Sequence, residues 1–146
     1  YVRQQEALGL GHAVLQARDL VCGEPFAVML SDDIIDAKTP ALRQLLDVYE
    51  KYNAPVVAVF HVEGEAISRF GVIDGEEVVE GVYKVKNMVE KPAVKDAPSD
   101  LAIIGRYVLT PDIFDEIEKT TPGVELALKH EDLAPEFKEY LQSLKF

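Results

Sequence analysis

Two unbroken apolar runs, Phe26-Ala27-Val28-Met29-Leu30 and Val56-Val57-Ala58-Val59-Phe60, constrain the fold of this chain more than any other feature. Successive side chains of a strand point to opposite faces, so a wholly apolar run has no face meant for water. Such a run suits a strand buried on both sides, as in a parallel sheet packed between helices. A helical pattern precedes each run. Ala13, Val14, Ala17, Leu20 and Val21 recur at helical spacing before the first, and Leu42, Leu45, Leu46, Tyr49 and Tyr52 before the second. Thr39 is expected to cap the second helix, with Pro40 at its first helical position. Helix-strand-helix-strand alternation predicts a doubly wound α/β sheet.

The middle of the chain changes character. Gly71-Val72-Ile73-Asp74-Gly75 leads to Val78-Val79, with a turn predicted at Asp74-Gly75. Tyr83 to Lys86 alternate, Met88-Val89-Glu90-Lys91-Pro92 follows, and Pro98-Ser99-Asp100 breaks the chain before an apolar stretch from Leu101 to Leu109. These read as longer strands of a mixed sheet, some of them antiparallel. Thr110-Pro111 opens a short helix carrying Ile113, Phe114 and Ile117, which Thr120-Thr121-Pro122-Gly123 stops. From Asp132 to Phe146 an apolar stripe of Leu133, Phe137, Tyr140, Leu141 and Leu144 predicts a charged helix. The expectation is a single domain over 1–146, with 124–146 as a C-terminal helical tail.

Composition excludes several classes. Apolar residues make up 48% and charged residues 28%, which suits neither a disordered tail nor a membrane protein. No apolar run approaches the ~18 residues of a membrane span. Cys22 is the only cysteine, so no internal disulfide can form, and a reducing, cytoplasmic setting is expected. The net charge is −11, from 26 acids against 15 bases, without a basic stripe. That argues against nucleic acid as a partner, because phosphate backbones need clustered positive charge. A small phosphorylated ligand remains compatible, held by one Lys and one metal ion.

Three short motifs could carry chemistry. Gly9-Leu10-Gly11-His12-Ala13 stands at a helix start, where two glycines let a backbone approach a flat ligand. Its ordinary alternative is a capped turn. Ser31-Asp32-Asp33 ends a buried strand, where ligands of open α/β sheets gather and a carboxylate can hold Mg²⁺ beside phosphates. Its ordinary alternative is a turn that caps the next helix. Glu90-Lys91-Pro92 offers a carboxylate for sugar hydroxyls and an ammonium for a phosphate. Pro92 is expected to keep Lys91 extended, and the ordinary alternative is a surface ion pair. His12, His61 and His130 show no metal-ligand spacing with Cys22. There is no nucleophile elbow and no Cys/His pairing.

Taken together and in order, these stretches resemble the bacterial UTP–glucose-1-phosphate uridylyltransferases, within the sugar nucleotidyltransferases. The matching residues are Arg3-Gln4, Leu8 to Val14, Glu24 to Val28, Ser31-Asp32-Asp33, Phe70-Gly71-Val72, Met88 to Pro92, and Pro98 to Tyr107. The resemblance implies a Rossmann-like mixed sheet flanked by helices, of the nucleotide-diphospho-sugar transferase type. It implies UTP and glucose 1-phosphate as substrates, UDP-glucose and pyrophosphate as products, Mg²⁺ as cofactor, and a homo-oligomer. Gln4 with Gly9, Leu10, Gly11 and His12 would hold uracil and ribose. Asp32 would bind the metal, with Asp33 in a lesser part. Gly71 would contact the sugar, Glu90 its hydroxyls and Lys91 its phosphate. The segment of Ala102 and Ile103 to Ile104 would close over the sugar.

The chain also departs from that family. The family's Gly-rich triphosphate loop does not precede Tyr1, and a Gly-Glu-rich stretch does not follow Gly123. Asp100 stands where Asn is usual. The resemblance therefore implies an incomplete domain, and turnover by these 146 residues alone is not expected. Alternatives are another sugar-1-phosphate nucleotidyltransferase, using dTTP, CTP or ATP, or a non-catalytic fragment that binds nucleotide sugar.

Overall fold

A computed structural model describes residues 1–119 and the backbone of residues 142–145. The helical elements are α1 (Leu10–Leu15), α2 (Arg18–Val21), α3 (Ala41–Tyr52) and α4 (Ile113–Lys119). The strands are β1 (Phe26–Met29), β2 (Val56–His61), β3 (Gly71–Val79), β4 (Val82–Glu90), β5 (Leu101–Leu109) and β6 (Gln142–Lys145). They form one sheet in the order β1-β5-β2-β6-β4-β3, with β3 also touching β5.

The sheet is mixed and flanked by helices, but most of its pairings are antiparallel. β1 and β2 run in the same direction, as a doubly wound sheet requires. They are not neighbours, because β5 lies between them, antiparallel to both. Among the described residues only β2 and β6 pair parallel. β2 occupies one edge of β5 along most of its length. The other edge is shared, with β1 beside residues 106–109 and β3 beside Ala102. A gap opens between them at Ile103 to Gly105, and the candidate site lies there.

Period-two alternation on β5 sorts the two faces. α3 lies on the face of Ile104 and Val108, where Leu45 and Val48 pack with Val56 and Ala58. Leu45 is fully buried, which contributes about 1.5–3 kcal/mol. On the opposite face Val59, Ile73, Val85, Met88 and Leu101 pack with Ile113 and Phe114 of α4, and Val14 and Leu15 of α1 pack against them. Phe26 and Phe114 stack with ring centroids 5.2 Å apart. Arg18 ties α2 to α4 through Asp115 and Glu118, both at 2.6 Å. Among the described residues no helix is long and apolar enough to cross a membrane.

Several local expectations are corrected. The first helical stretch is two short helices, because Ala17 N–H bonds Val14 O and closes a tighter turn there. Leu20, expected on its buried stripe, is 62% exposed. α3 begins one residue later than predicted, with Pro40 as its cap and no side-chain cap bond from Thr39. β1 is not buried on both faces, since Ala27 and Met29 face outward where α3 does not reach. The predicted turn at Asp74-Gly75 is a bulge inside β3. The hairpin turns at Glu80-Gly81, where Gly81 has φ 73° and Glu77 Oε1 accepts its N–H. Within the predicted tail helix, residues 142–145 form β6 between β2 and β4, where they complete both backbone ladders. The rest of that helix, and the stop at Thr120 to Gly123, lie outside the described residues.

Candidate active site

A cavity of about 440 Å³ lies over the gap at residues 103–105. Ile103, Gly105, Tyr107 and Leu109 of β5 form its floor, all on one face by strand alternation. Leu10 and Val14 of α1 and Ile113 and Ile117 of α4 cover it. Its polar groups come from strand ends: Asp33 after β1, Arg69 before β3, and Glu90 and Lys91 at the end of β4. An apolar body with a few converging polar groups is the usual make-up of a small-molecule site.

The β1 end is riveted to β5. Leu30 N–H donates to Gly105 O at 2.9 Å, and Gly105 N–H donates to Asp33 Oδ2 at 2.8 Å. The Arg106 guanidinium donates to Leu30 O and Gly105 O, each at 2.7 Å, and also to Asp33 O. A Cβ on Gly105 would fall 2.6 Å from Leu30 Cγ and would also overlap the Asp33 carboxylate. Gly105 is thus required by close approach.

The β4 end supplies the charged corner. Gly71 pairs with Glu90, and a Cβ on Gly71 would stand 3.0 Å from Glu90 Oε2 and 3.2 Å from Ile103 Cδ1. The missing side chain lets the carboxylate lie across the strand. Lys91 Nζ is 3.4 Å from Glu90 Oε1, with both side chains partly exposed. Lys91 is not extended, as the following proline led one to expect. Its φ is 44°, and its N–H donates to Phe70 O at 3.0 Å. That bond continues the ladder past Glu90 while the chain turns, and it overrides the pre-proline preference. A strained residue at a site edge is where such strain is commonly kept.

The Tyr107 phenol is pushed up to about 12, by burial first and then by the carboxylates of Asp33 and Glu90. It therefore stays a neutral hydrogen-bonding group on the floor. Because its folded value lies above that of the unfolded chain, its stabilisation is full below pH ~10 and is lost as pH rises toward 12. Ultraviolet titration of wild type minus Tyr107→Phe should show one phenol ionising near pH 12. A difference curve centred near pH 10 would contradict this.

At the other edge, α1 begins after Gly9, whose φ is 94°. Gln4 Nε2 donates to Gly9 O at 3.0 Å and lies 3.0 Å from His12 Nδ1.

The cavity brings together Gly9, Leu10, Gly71, Glu90, Lys91 and Ile103 of the residues singled out in the sequence. Gln4 and His12 are half-buried behind Gly9, and Gly11 is buried in α1. Ala102 is fully buried in a small core with Val62, Ile67 and Val72. Asp32 is exposed and off the wall, whereas its neighbour Asp33 lines it. Sequence reasoning did not single out Gly105, Tyr107 or Arg69. Only the alternation of the 101–109 run could have pointed to the first two.

The nucleotidyl transferase family pattern matches residues 1–145. The chain is 50% identical over 125 residues to a UTP–glucose-1-phosphate uridylyltransferase of Pseudomonas aeruginosa, covering 84% of this chain and 45% of that protein. Its identity to the same-named protein of Bacillus subtilis is 51% over 123 residues, covering 84% and 42%. Among solved structures, a UDP-glucose pyrophosphorylase complexed with UDP-glucose superposes with TM-score 0.88 at 44% identity, over 100% of this chain and 57% of that one. A UTP-bound UGPase from Acinetobacter baumannii superposes with TM-score 0.83 at 29% identity, over 99% and 51%. The chain thus spans about half the length of these relatives. With a family pattern over nearly all its residues and a fold to match, this chain belongs to the nucleotidyl transferase family.

Proposed function

We propose that the chain serves uridylyl transfer, joining UTP and glucose 1-phosphate into UDP-glucose with release of pyrophosphate. The observation that carries the reading is one cavity that sets a carboxylate, Glu90, and two cations, Lys91 and Arg69, around the side-chain-free wall at Gly71. Relatives at 50% and 51% identity bear the name of that activity, and a superposing relative holds UDP-glucose. A phosphate oxygen of glucose 1-phosphate attacks the α-phosphorus of UTP, and the bond to pyrophosphate breaks. No side chain need act as nucleophile. The protein's part is positioning and charge neutralisation. Glu90 accepts from sugar hydroxyls, Lys91 holds the sugar phosphate, and the apolar cover of α1 and α4 limits water.

Mg²⁺ suits the acidic loop after β1. Among the described residues no group of three or more His, Cys, Asp and Glu side chains could cage a metal. Mg²⁺ needs no such cage, taking one or two carboxylates and filling its shell with phosphate oxygens and water. Asp32 would hold it, with Asp33 beside it already committing one oxygen to Gly105 N–H. When bound, the ion supplies positive charge to the transferring phosphates. Asp32→Ala should remove the Mg²⁺ dependence of UDP-glucose binding while leaving thermal stability unchanged. Equal Mg²⁺ dependence in both proteins would remove the assignment.

Gly71→Ala should push Glu90 and Ile103 aside and raise KM for glucose 1-phosphate about tenfold, the equivalent of ~1.4 kcal/mol. KM for UTP should stay unchanged, and an equal rise in both would place Gly71 outside the sugar subsite. The reaction itself is tested by following pyrophosphate release by the full-length protein with Mg²⁺, glucose 1-phosphate and each nucleoside triphosphate in turn. Release with UTP supports the reading. Release with ATP or CTP alone moves the base assignment, and none with any triphosphate leaves binding without transfer.

A further inference from the structure

The turn that carries Asp32 is held from behind by a single cation. Residues 30–33 close a turn through Asp33 N–H, which donates to Leu30 O at 3.4 Å, with Ser31 and Asp32 at its tip. Strand alternation puts the Arg106 side chain on the face of β5 opposite the cavity floor, in register with Met29 of β1. Its guanidinium donates to Leu30 O and Gly105 O, each at 2.7 Å, and to Asp33 O. The carbonyls of Leu30 and Asp33 bracket the tip, so one rigid group spans it. Toward the cavity, Asp33 Oδ2 accepts the Gly105 N–H at 2.8 Å. The turn is thus pinned from both faces of β5.

The tip itself is left for another task. The Asp32 carboxylate is exposed and makes no hydrogen bond or ion pair among the described residues. Arg106 spends its donors on carbonyls, so it takes neither Asp32 nor Asp33 into an ion pair. A planar fork of fixed donors can bind several carbonyls at once, whereas lysine offers a point charge on a flexible stem. A carboxylate on a loose loop must be ordered before it can hold a metal, and that ordering weakens binding.

We propose that Arg106 is a positioning residue for the metal site, fixing the 30–33 turn so that Asp32 meets Mg²⁺ already ordered. It touches neither metal nor substrate. The proposal rests on the reading that Asp32 holds Mg²⁺, and it adds the device that orders this carboxylate.

The test uses the full-length protein. Calorimetry gives the affinity for UDP-glucose over a series of Mg²⁺ concentrations in wild type, Arg106→Ala, Arg106→Lys and Arg43→Ala, and electron paramagnetic resonance reads Mn²⁺ binding in the same proteins. Removing a group that orients a metal ligand typically weakens metal binding about 10- to 100-fold. Arg106→Ala should raise the Mg²⁺ concentration for half-maximal binding by that factor and weaken Mn²⁺ alike, with affinity in the absence of metal unchanged. Arg106→Lys should fall between, since one ammonium cannot reproduce the fork. Arg43 pairs with Asp47 and Glu50 on α3, off the cavity wall, and Arg43→Ala should leave the midpoint as in wild type. If Arg106→Ala weakens binding equally with and without Mg²⁺ and leaves the midpoint in place, Arg106 merely supports the fold and the proposal is overturned. Should Arg106→Ala fail to fold, Arg106→Lys decides: a raised midpoint supports the proposal, and an unchanged one overturns it. Where Asp32→Ala keeps the Mg²⁺ dependence of wild type, the metal assignment falls and this proposal with it. Where Asp32→Ala loses that dependence and the Arg106 variants keep the wild-type midpoint, only this proposal falls.

Discussion

In the full-length protein, Lys91→Met should lower kcat/KM for glucose 1-phosphate about 10- to 150-fold, with KM for UTP nearly unchanged. A charge-assisted hydrogen bond contributes roughly 1.5–3 kcal/mol, and each 1.4 kcal/mol is tenfold. Lys91 is partly exposed at the cavity edge, beside Glu90 and across from Phe70. Methionine keeps the apolar stem and the same backbone, so thermal stability should hold within about 2 °C, as for a surface change. Steady-state kinetics with each substrate varied in turn checks the split. If binding of uridine alone weakens as much as that of UDP-glucose, Lys91 acts on the fold and not on the sugar phosphate.

The largest effect on stability is expected at Gly105. An added methyl group would lie 2.6 Å from Leu30 Cγ and 2.7 Å from Leu30 Cβ, and it would overlap the Asp33 carboxylate. Leu30 Cβ is fixed to the backbone, so the end of β1 must shift. Overpacking of this kind costs about 1–3 kcal/mol, and breaking the Asp33 bond to Gly105 N–H adds to it. Gly105→Ala should lower the Tm by roughly 10 °C in calorimetry. It should also displace the loop of Asp32 and Asp33, because the Arg106 guanidinium binds carbonyls on both sides of the junction. A Tm within 2 °C of wild type would show that the loop is not riveted in this way.

These two sites differ in how far the sequence reveals them. Glu90-Lys91-Pro92 is a local motif, and its chemistry is legible from adjacent letters. The Gly105, Arg106 and Asp33 junction joins residues 72 or more positions apart, and no local pattern announces it. The same divide runs through the fold. α3 follows from periodicity because one of its faces packs on the sheet, and β2 follows from apolar run length because both of its faces are buried. The direction and neighbours of β5 are set by long-range pairing, so an alternating helix-strand pattern suggested a doubly wound sheet where an antiparallel strand intervenes. Asp74-Gly75 carries the letters of a turn, but Gly75 serves close packing, with an added Cβ falling 3.2 Å from Tyr83 Cβ. Glu80-Gly81 makes the actual reversal. The resemblance ranks Asp32 above its neighbour, whereas it is Asp33, held by Gly105 N–H, that lines the cavity.

The central claim, that the cavity over Ile103 to Gly105 receives the nucleotide sugar, can be tested by methyl-labelled NMR during titration with UDP-glucose and Mg²⁺. The Ile103 and Met88 methyl groups line that cavity, whereas Ile34 and Val94 are exposed at 90% and 51% and lie off its wall. The account predicts saturable shifts at Ile103 and Met88, with Ile34 and Val94 little changed. Binding that shifts Ile34 or Val94 and leaves Ile103 and Met88 unmoved would contradict it.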